Sequence, residues 1–191
     1  MLRTDVMIDL ETMGTGPDAA IVQIGAVAFC AGADPVTALD LLADAPQLHL
    51  HVSLRAAVAT GATIDADSVL WWLRQGDEAR AAFDRADAMP LDDALLELRD
   101  WWATYADAEA HLWGNGADFD PVILGCSYDR LGYVRPWVRW NVRCYRTLRA
   151  EHRGVPLERV GVHHNALDDA LTQARHVLAI RRALAAQHAA A

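Results

Sequence analysis

Asp5-Val-Met-Ile-Asp-Leu-Glu11 is an apolar, β-branched run that stops at the glycine-rich turn Met13-Gly-Thr-Gly-Pro17, and it reads as a buried first strand. Working outward, Ala20 to Phe29 supplies a second apolar run that ends at Gly32-Ala-Asp-Pro35. Leu48-His-Leu-His-Val52 then alternates as a third strand should. From Asp65 the period turns helical, with Ala66, Val69, Leu70 and Leu73 on one face and Arg74, Gln75 and Glu78 on another. Pro90 starts a helix over Leu91 to Tyr105 with Leu95, Leu98 and Trp102 in one stripe. His111 to Gly114 is a short strand, and Asp120-Pro121 reads as an N-cap with proline at N1 of a helix ending near Leu131-Gly132. Trp140 to Tyr145 predicts another strand, followed by a short helix through Thr147 and Leu148. The last helix runs from about Asn165 to Gln187, with Leu167, Leu171, Ala174 and Leu178 at helical spacing, and Ala189 to Ala191 fray. Strands first, then helices alternating with strands, predict an α/β fold with a mixed central sheet flanked by helices, in a single domain over residues 1–191.

Composition narrows the function. A chain of 191 residues buries roughly 70% of its unfolded surface, so it needs neither disulfide nor structural zinc. Hydrophobic residues at 53%, charged residues at 23% and a mean hydropathy of +0.04 exclude disorder for most of the chain. Apolar runs are interrupted well before the 18 or so residues of a membrane span. Met1-Leu-Arg-Thr-Asp5 does not read as a secretory signal, and the odd set Cys30, Cys126 and Cys144, without CxxC spacing, predicts free thiols in a reducing, cytoplasmic setting. All 17 basic residues are arginine. Without lysine the chain cannot be a P-loop enzyme, a Schiff-base enzyme or a kinase. A net charge of −9 argues against a broad basic face for nucleic acid, but not against a phosphate backbone held through metal ions.

Asp9 and Glu11 stand two apart on the first strand and therefore share a face, with Leu10 pointing away. Two acids beside a glycine turn invite a cation, although a solvated strand end would look the same. Asp120 follows Asn115-Gly-Ala-Asp-Phe119, where an N-cap is the plain reading. His164, Asp168 and Asp169 open the last helix, where acids complement the dipole.

Taken together, Asp9-Leu-Glu-Thr12, Asn115-Gly-Ala-Asp-Phe-Asp120 and His164-Asn-Ala-Leu-Asp-Asp169 resemble, in order and separation, the three motifs of the DEDDh class of DnaQ-like 3′-5′ exonucleases, which have a ribonuclease H-like fold. Ile21 to Phe29, Trp71-Trp-Leu-Arg-Gln75, Trp113-Gly-Asn-Gly116, Arg143 to Leu148 and Asp168 to Ala174 further resemble the subgroup of the mycobacterial-type 3′-5′ exoribonuclease and phage exonuclease A. The resemblance implies two divalent cations, Mg²⁺ or Mn²⁺, held by Asp9, Glu11, Asp120 and Asp169, with His164 as general base. It implies a nucleic-acid 3′ end as substrate, RNA or single-stranded DNA, 5′-mononucleotides as product, and a homodimer. The chemistry suits the residue types: hard cations take oxygen ligands, and an imidazole titrating near neutrality can take a proton from water. His163 beside His164 and Asp168 beside Asp169 offer two candidates for each role, and only the family spacing HxAxxD selects His164 and Asp169.

The subgroup pattern also puts Thr12 and Met13 where the terminal nucleotide arrives. Trp71 projects with the polar residues of its helix and is available to stack a base, whereas Trp72 flanks the core stripe. Arg135, Arg139, Arg143, Arg146 and Arg149 are candidates for phosphate contact or for a solvated face. A haloacid-dehalogenase-type phosphatase fails because Glu11 replaces its second Asp and its lysine is missing. A ribonuclease H-like binding module without catalysis is disfavoured by the presence of all five expected catalytic residues.

Overall fold

The chain builds β1 (Arg3–Thr12), β2 (Ile21–Phe29), β3 (Gln47–His51), α1 (Leu54–Ala59), α2 (Ala66–Trp72), α3 (Asp77–Arg80), α4 (Leu91–Tyr105), β4 (Ala106–Gly114), α5 (Asp120–Arg130), β5 (Val142–Cys144), α6 (Tyr145–Glu151) and α7 (Ala166–Ala189). The computed structural model describes residues 2–32, 39, 41–83 and 85–189. The expected turn at Gly32–Pro35 lies largely outside these residues. So do Ala190 and Ala191 of the expected frayed end, whereas Ala189 still belongs to α7.

One mixed sheet has the order β3-β2-β1-β4-β5. β1, β2 and β3 form an antiparallel meander, and β4 and β5 add in parallel on the other side. A central strand covered on both faces must be apolar on both, which is why β1 reads as a nearly continuous run. Val6, Ile8 and Leu10 pack in one core with Leu91, Leu95 and Leu98 of α4 and with Ile123 and Leu124 of α5. Met7 packs in a second core with Trp113, Tyr145 and the α7 residues Ala170, Ala174, Val177 and Leu178. Asp9 and Glu11 share the α7 side with Met7 because strand side chains alternate. Among the described residues no helix is long and apolar enough to cross a membrane.

Four local expectations change. Phe119, not Asp120, is the N-cap of α5. Asp120 is its first helical residue, Pro121 its second, and the Asp120 carboxylate is used elsewhere. On α2 the expected stripe is not the buried face: Leu70 and Leu73 are 50% and 62% exposed, and Trp72, at 4%, is what the helix inserts. Trp72 packs edge-on against Phe83, and its Nε1 donates to the Thr12 carbonyl at 2.9 Å. The strand expected over Trp140 to Tyr145 shrinks to Val142–Cys144, because Arg139–Asn141 forms a 3₁₀ turn and Tyr145 already opens α6. β4 instead extends back to Ala106, directly after α4.

Candidate active site

The carboxylates arrive from three separate elements. Asp9 and Glu11 lie near the C-terminal end of β1, where the register with β2 shifts after Glu11. Asp120 comes from the first turn of α5. Its Oδ1 accepts from the amide of Leu10 at 3.1 Å and its Oδ2 from the amide of Asn115 at 2.8 Å, so it is fixed against the strand between the other two acids. The approach is close enough that a Cβ on Gly114 would stand 2.8 Å from Pro121 Cδ and 3.1 Å from Asp120 Oδ2.

Asp169 sits in the first turn of α7, and β2 determines where that turn lies. Gln23 Oε1 accepts from the amide of Ala166 at 3.1 Å, satisfying one of the free donors at the helix start. Gly25 lets the helix lie on the sheet: a Cβ there would fall 2.1 Å from the Ala166 carbonyl carbon. In this way the Val-Gln-Ile-Gly part of β2 brings Asp169 to β1. Asp168 points elsewhere. Its Oδ2 accepts from the amide of Val162 at 2.8 Å, and its carboxyl fills the space beside Gly161, whose φ of +62° favours glycine.

Oxygens of Asp9, Glu11 and Asp169 lie within 4.8 Å of one another. Burial, followed by repulsion from Asp120, Glu11 and Asp169, holds the Asp9 carboxyl well above the carboxylate range, and a hydrogen bond from Gln173 opposes this. Burial with the charges of Asp169 and Asp120 pushes Glu11 up to about 8. Burial pushes Asp120 to about 7 against the pull of its backbone donors and of Arg146. Arg159 Nη1 pairs with Asp169 Oδ1 at 2.9 Å. Gln173 Nε2 donates to Asp9 Oδ1 at 2.6 Å, and its buried Oε1 has no partner among the described residues. A cluster of oxygens that repel one another, with an orphaned amide oxygen beside it, is a donor set fitted to a hard divalent cation.

His164 closes the site. It has a φ of +64°, a left-handed conformation that is uncommon for a residue other than glycine, and its amide donates to Asp169 Oδ2 at 3.0 Å. Its ring meets Trp71 edge-on at 4.8 Å and stacks on the exposed His163 at 3.7 Å. Burial and the neighbouring His163 lower its pKa, with Asp169 opposing. A nitrogen of His163 also falls within 4.8 Å of His164 and Asp169.

Two clefts adjoin here and share Glu11. The polar one, about 160 Å³, is lined by Asp9, Glu11, Arg149, His164, Asp169 and Gln173. The apolar one, about 470 Å³, is lined by Thr12, Gly14, Trp71, Trp72 and Phe119. Trp71 is 41% exposed at its wall. Thr12 is buried, its hydroxyl donating to the Gly14 carbonyl at 2.7 Å. Met13 is buried in the core, its amide and carbonyl bonded to Ala20 and Asp65. Sequence reasoning passed over Gln23, Gly25, Arg159 and Gln173. Gln23, Gly25 and Gln173 lie in stretches that carry the family resemblance, and only their three-dimensional neighbours explain them.

The family described as the Rv2179c-like 3′-5′ exoribonuclease domain matches residues 4–181. Among curated proteins nothing matches. The nuclease domain of 3′hExo, a DEDDh family member whose structure was solved with bound rAMP, is similar in fold: the TM-score is 0.56 at 16% identity, covering 94% of this chain and 91% of that one. Cell-death related nuclease 4 (CRN-4) aligns with a TM-score of 0.49 at 14% identity over 93% of this chain and 63% of that one. The mixed sheet flanked by helices is the ribonuclease H-like α/β fold.

Proposed function

The chain belongs to the Rv2179c-like 3′-5′ exoribonuclease domain family and is a 3′-5′ exonuclease, and we propose that it is of the DEDDh class, with Asp9, Glu11, Asp120, Asp169 and His164 as its catalytic residues. Its substrate is nucleic acid, and DEDDh exonucleases depend on divalent metal. The observation that supports the residue assignment is the convergence of Asp9, Glu11 and Asp169 within 4.8 Å, with Asp120 outside that group but held to the amide of Leu10, the residue between Asp9 and Glu11. The four carboxylates would hold two cations, Mg²⁺ or Mn²⁺. When bound, these supply Lewis-acid stabilisation of the attacking and departing oxygens of an in-line displacement at phosphorus.

The protein's own groups do the rest. His164, with its pKa lowered, is neutral at pH 7, so a free ring nitrogen can accept the proton of the attacking water. The hydrogen bond from the His164 amide to the Asp169 carboxylate and the edge-on contact with Trp71 keep that ring beside the cluster. Trp71 offers a face to the terminal base in the apolar cleft and Thr12 lines the same cleft, whereas Met13, between Thr12 and Gly14 in the chain, is buried in the core and is not among its lining residues. Hydrolysis here would release 5′-mononucleotides from the 3′ end.

The family description favours RNA over single-stranded DNA as the substrate. The family match over residues 4–181 supports one exonuclease domain spanning residues 1–191. The subgroup resemblance supports a homodimer, and the free cysteines Cys30, Cys126 and Cys144 support a cytoplasmic setting. The test is digestion of 5′-labelled RNA and DNA of matched sequence in Mg²⁺ or Mn²⁺. A ladder shortening from the 3′ end on RNA, abolished by chelator, is expected. Full activity in chelator, or products carrying a 3′-phosphate, would refute the reading.

A further inference from the structure

In a chain of net charge −9, the segment from Arg130 to Arg159 carries eight of the seventeen basic residues against two acids, Glu151 and Glu158. Arg130, Arg135 and Arg159 pair with Asp18, Asp129 and Asp169. Among the described residues Arg143, Arg146 and Arg149 have no carboxylate partner. Taken backwards along the chain, the three form a line from α6 to β5. Arg149 lines the polar cleft itself. Arg146, one turn earlier on α6 and exposed, donates to the carbonyl of Asn115, whose amide holds Asp120. Arg143 lies on β5, the edge strand, and reaches the carbonyl of Trp140.

At the far end of this line, in the 3₁₀ turn that opens β5, the Trp140 side chain is 80% exposed. Trp72, Trp101, Trp102, Trp113 and Trp137 are buried, and Trp71, at 41%, is half as exposed and lines the apolar cleft. An exposed indole beyond a row of unpaired guanidinium groups combines the two elements that hold single strands, a charged track for phosphates and a flat apolar face for a base. Trp140 precedes Arg143 by three residues and Arg143 Nη1 reaches its carbonyl, so the two are neighbours at the end of this track.

We propose that the substrate strand leaves the catalytic cleft over Arg149 and Arg146, follows the edge strand β5, and stacks an upstream base on Trp140. This rests on the exonuclease site described above and adds to it a remote subsite for single-stranded nucleic acid. The run of guanidinium groups suits a phosphate chain as the occupant, and a second copy of this acidic protein is the outcome that the mass measurement separates from it. The consequence is a preference for length, since substrates too short to reach Trp140 lose that contact.

The test is steady-state hydrolysis of a 5′-labelled RNA dinucleotide and octanucleotide by the wild type, Trp140→Ala and Trp140→Phe, with the solution mass of each protein measured in parallel. Trp140→Ala should raise KM for the octanucleotide about tenfold with kcat unchanged, as expected for loss of one stacked base. The dinucleotide parameters should not move, and Trp140→Phe should recover most of the loss. An unchanged ratio of octanucleotide to dinucleotide kcat/KM would overturn the proposal. So would a fall in solution mass on Trp140→Ala with equal losses on both substrates, which would assign Trp140 to an interface between copies. Failure of the wild type to hydrolyse either RNA would instead refute the reading of the carboxylate site, and this proposal with it.

Discussion

Replacing Glu11 with glutamine should stabilise the metal-free protein while abolishing its activity. Glu11 is 7% exposed, and burial together with Asp169 and Asp120 pushes its pKa from 4.5 to about 8. At pH 7 the folded chain must therefore keep it protonated while the unfolded chain ionises it. A gap of about 2.5 pH units at about 1.36 kcal/mol each makes that cost about 3 kcal/mol. Because the folded pKa is raised, the penalty is absent below about pH 4.5 and grows until about pH 8, so wild-type stability falls across that window. Glutamine keeps the shape and cannot ionise. In chelator at pH 7, Glu11→Gln should melt about 6 to 12 °C above the wild type, a difference that widens towards pH 8 and shrinks towards zero near pH 4.5. Adding Mn²⁺ should raise the wild-type midpoint more than that of the variant, since a ligand that binds only the native state stabilises it. The assay is thermal unfolding over this pH range with and without metal. A variant that melts at or below the wild type at pH 8 in chelator would refute the electrostatic reasoning.

Three further predictions follow from the same geometry. His164→Ala should lower kcat by about 10² to 10⁴ with metal binding retained, and His163→Ala should cost far less. The wild-type rate should fall with acidity through a His164 pKa below the usual 6.5, a limb that flattens in the His164 variant; a larger loss from His163→Ala in the pH-rate profiles would contradict this. Trp71→Ala should weaken binding of a nucleoside monophosphate, read by calorimetry, by about 1 to 3 kcal/mol, whereas Trp72→Ala should instead cost about 3 to 5 kcal/mol of stability in denaturant unfolding. Gly25→Ala should both lower the melting temperature and abolish activity, because a Cβ 2.1 Å from the Ala166 carbonyl carbon must displace the start of α7 and with it Asp169.

Much of the fold could be read from local periodicity. β1, β2, β3, α4 and α7 are each long enough for their apolar pattern to show, and the two acids of β1 share a face as the alternation requires. What escaped depends on partners distant in sequence. Asp120 reads as an N-cap until the Leu10 amide, 110 positions earlier, is seen to take its carboxylate. Gln23 and Gly25 pass as ordinary strand residues because their purpose is the backbone of Ala166. The stripe expected on α2 failed because one large indole, Trp72, decides which side of a seven-residue helix is buried. Trp140–Tyr145 reads as a strand, but the Asn141 amide donates to the Val138 carbonyl at 3.0 Å and its side chain bonds Glu109, so the backbone turns before β5 begins. Periodicity could not choose between Asp168 and Asp169. In the structure Asp169 lies with Asp9 and Glu11, and Asp168 braces the preceding turn.

The measurement that bears most directly on the catalytic cluster is the stoichiometry of bound Mn²⁺, counted by electron paramagnetic resonance on the wild type and Asp9→Asn, with RNA turnover recorded on the same samples. Two ions per chain are expected in the wild type, and at most one in Asp9→Asn, with turnover lost and the fold intact by circular dichroism. Unchanged stoichiometry, or wild-type turnover in the variant, would contradict the assignment of Asp9, Glu11, Asp120 and Asp169 as the metal-binding carboxylates.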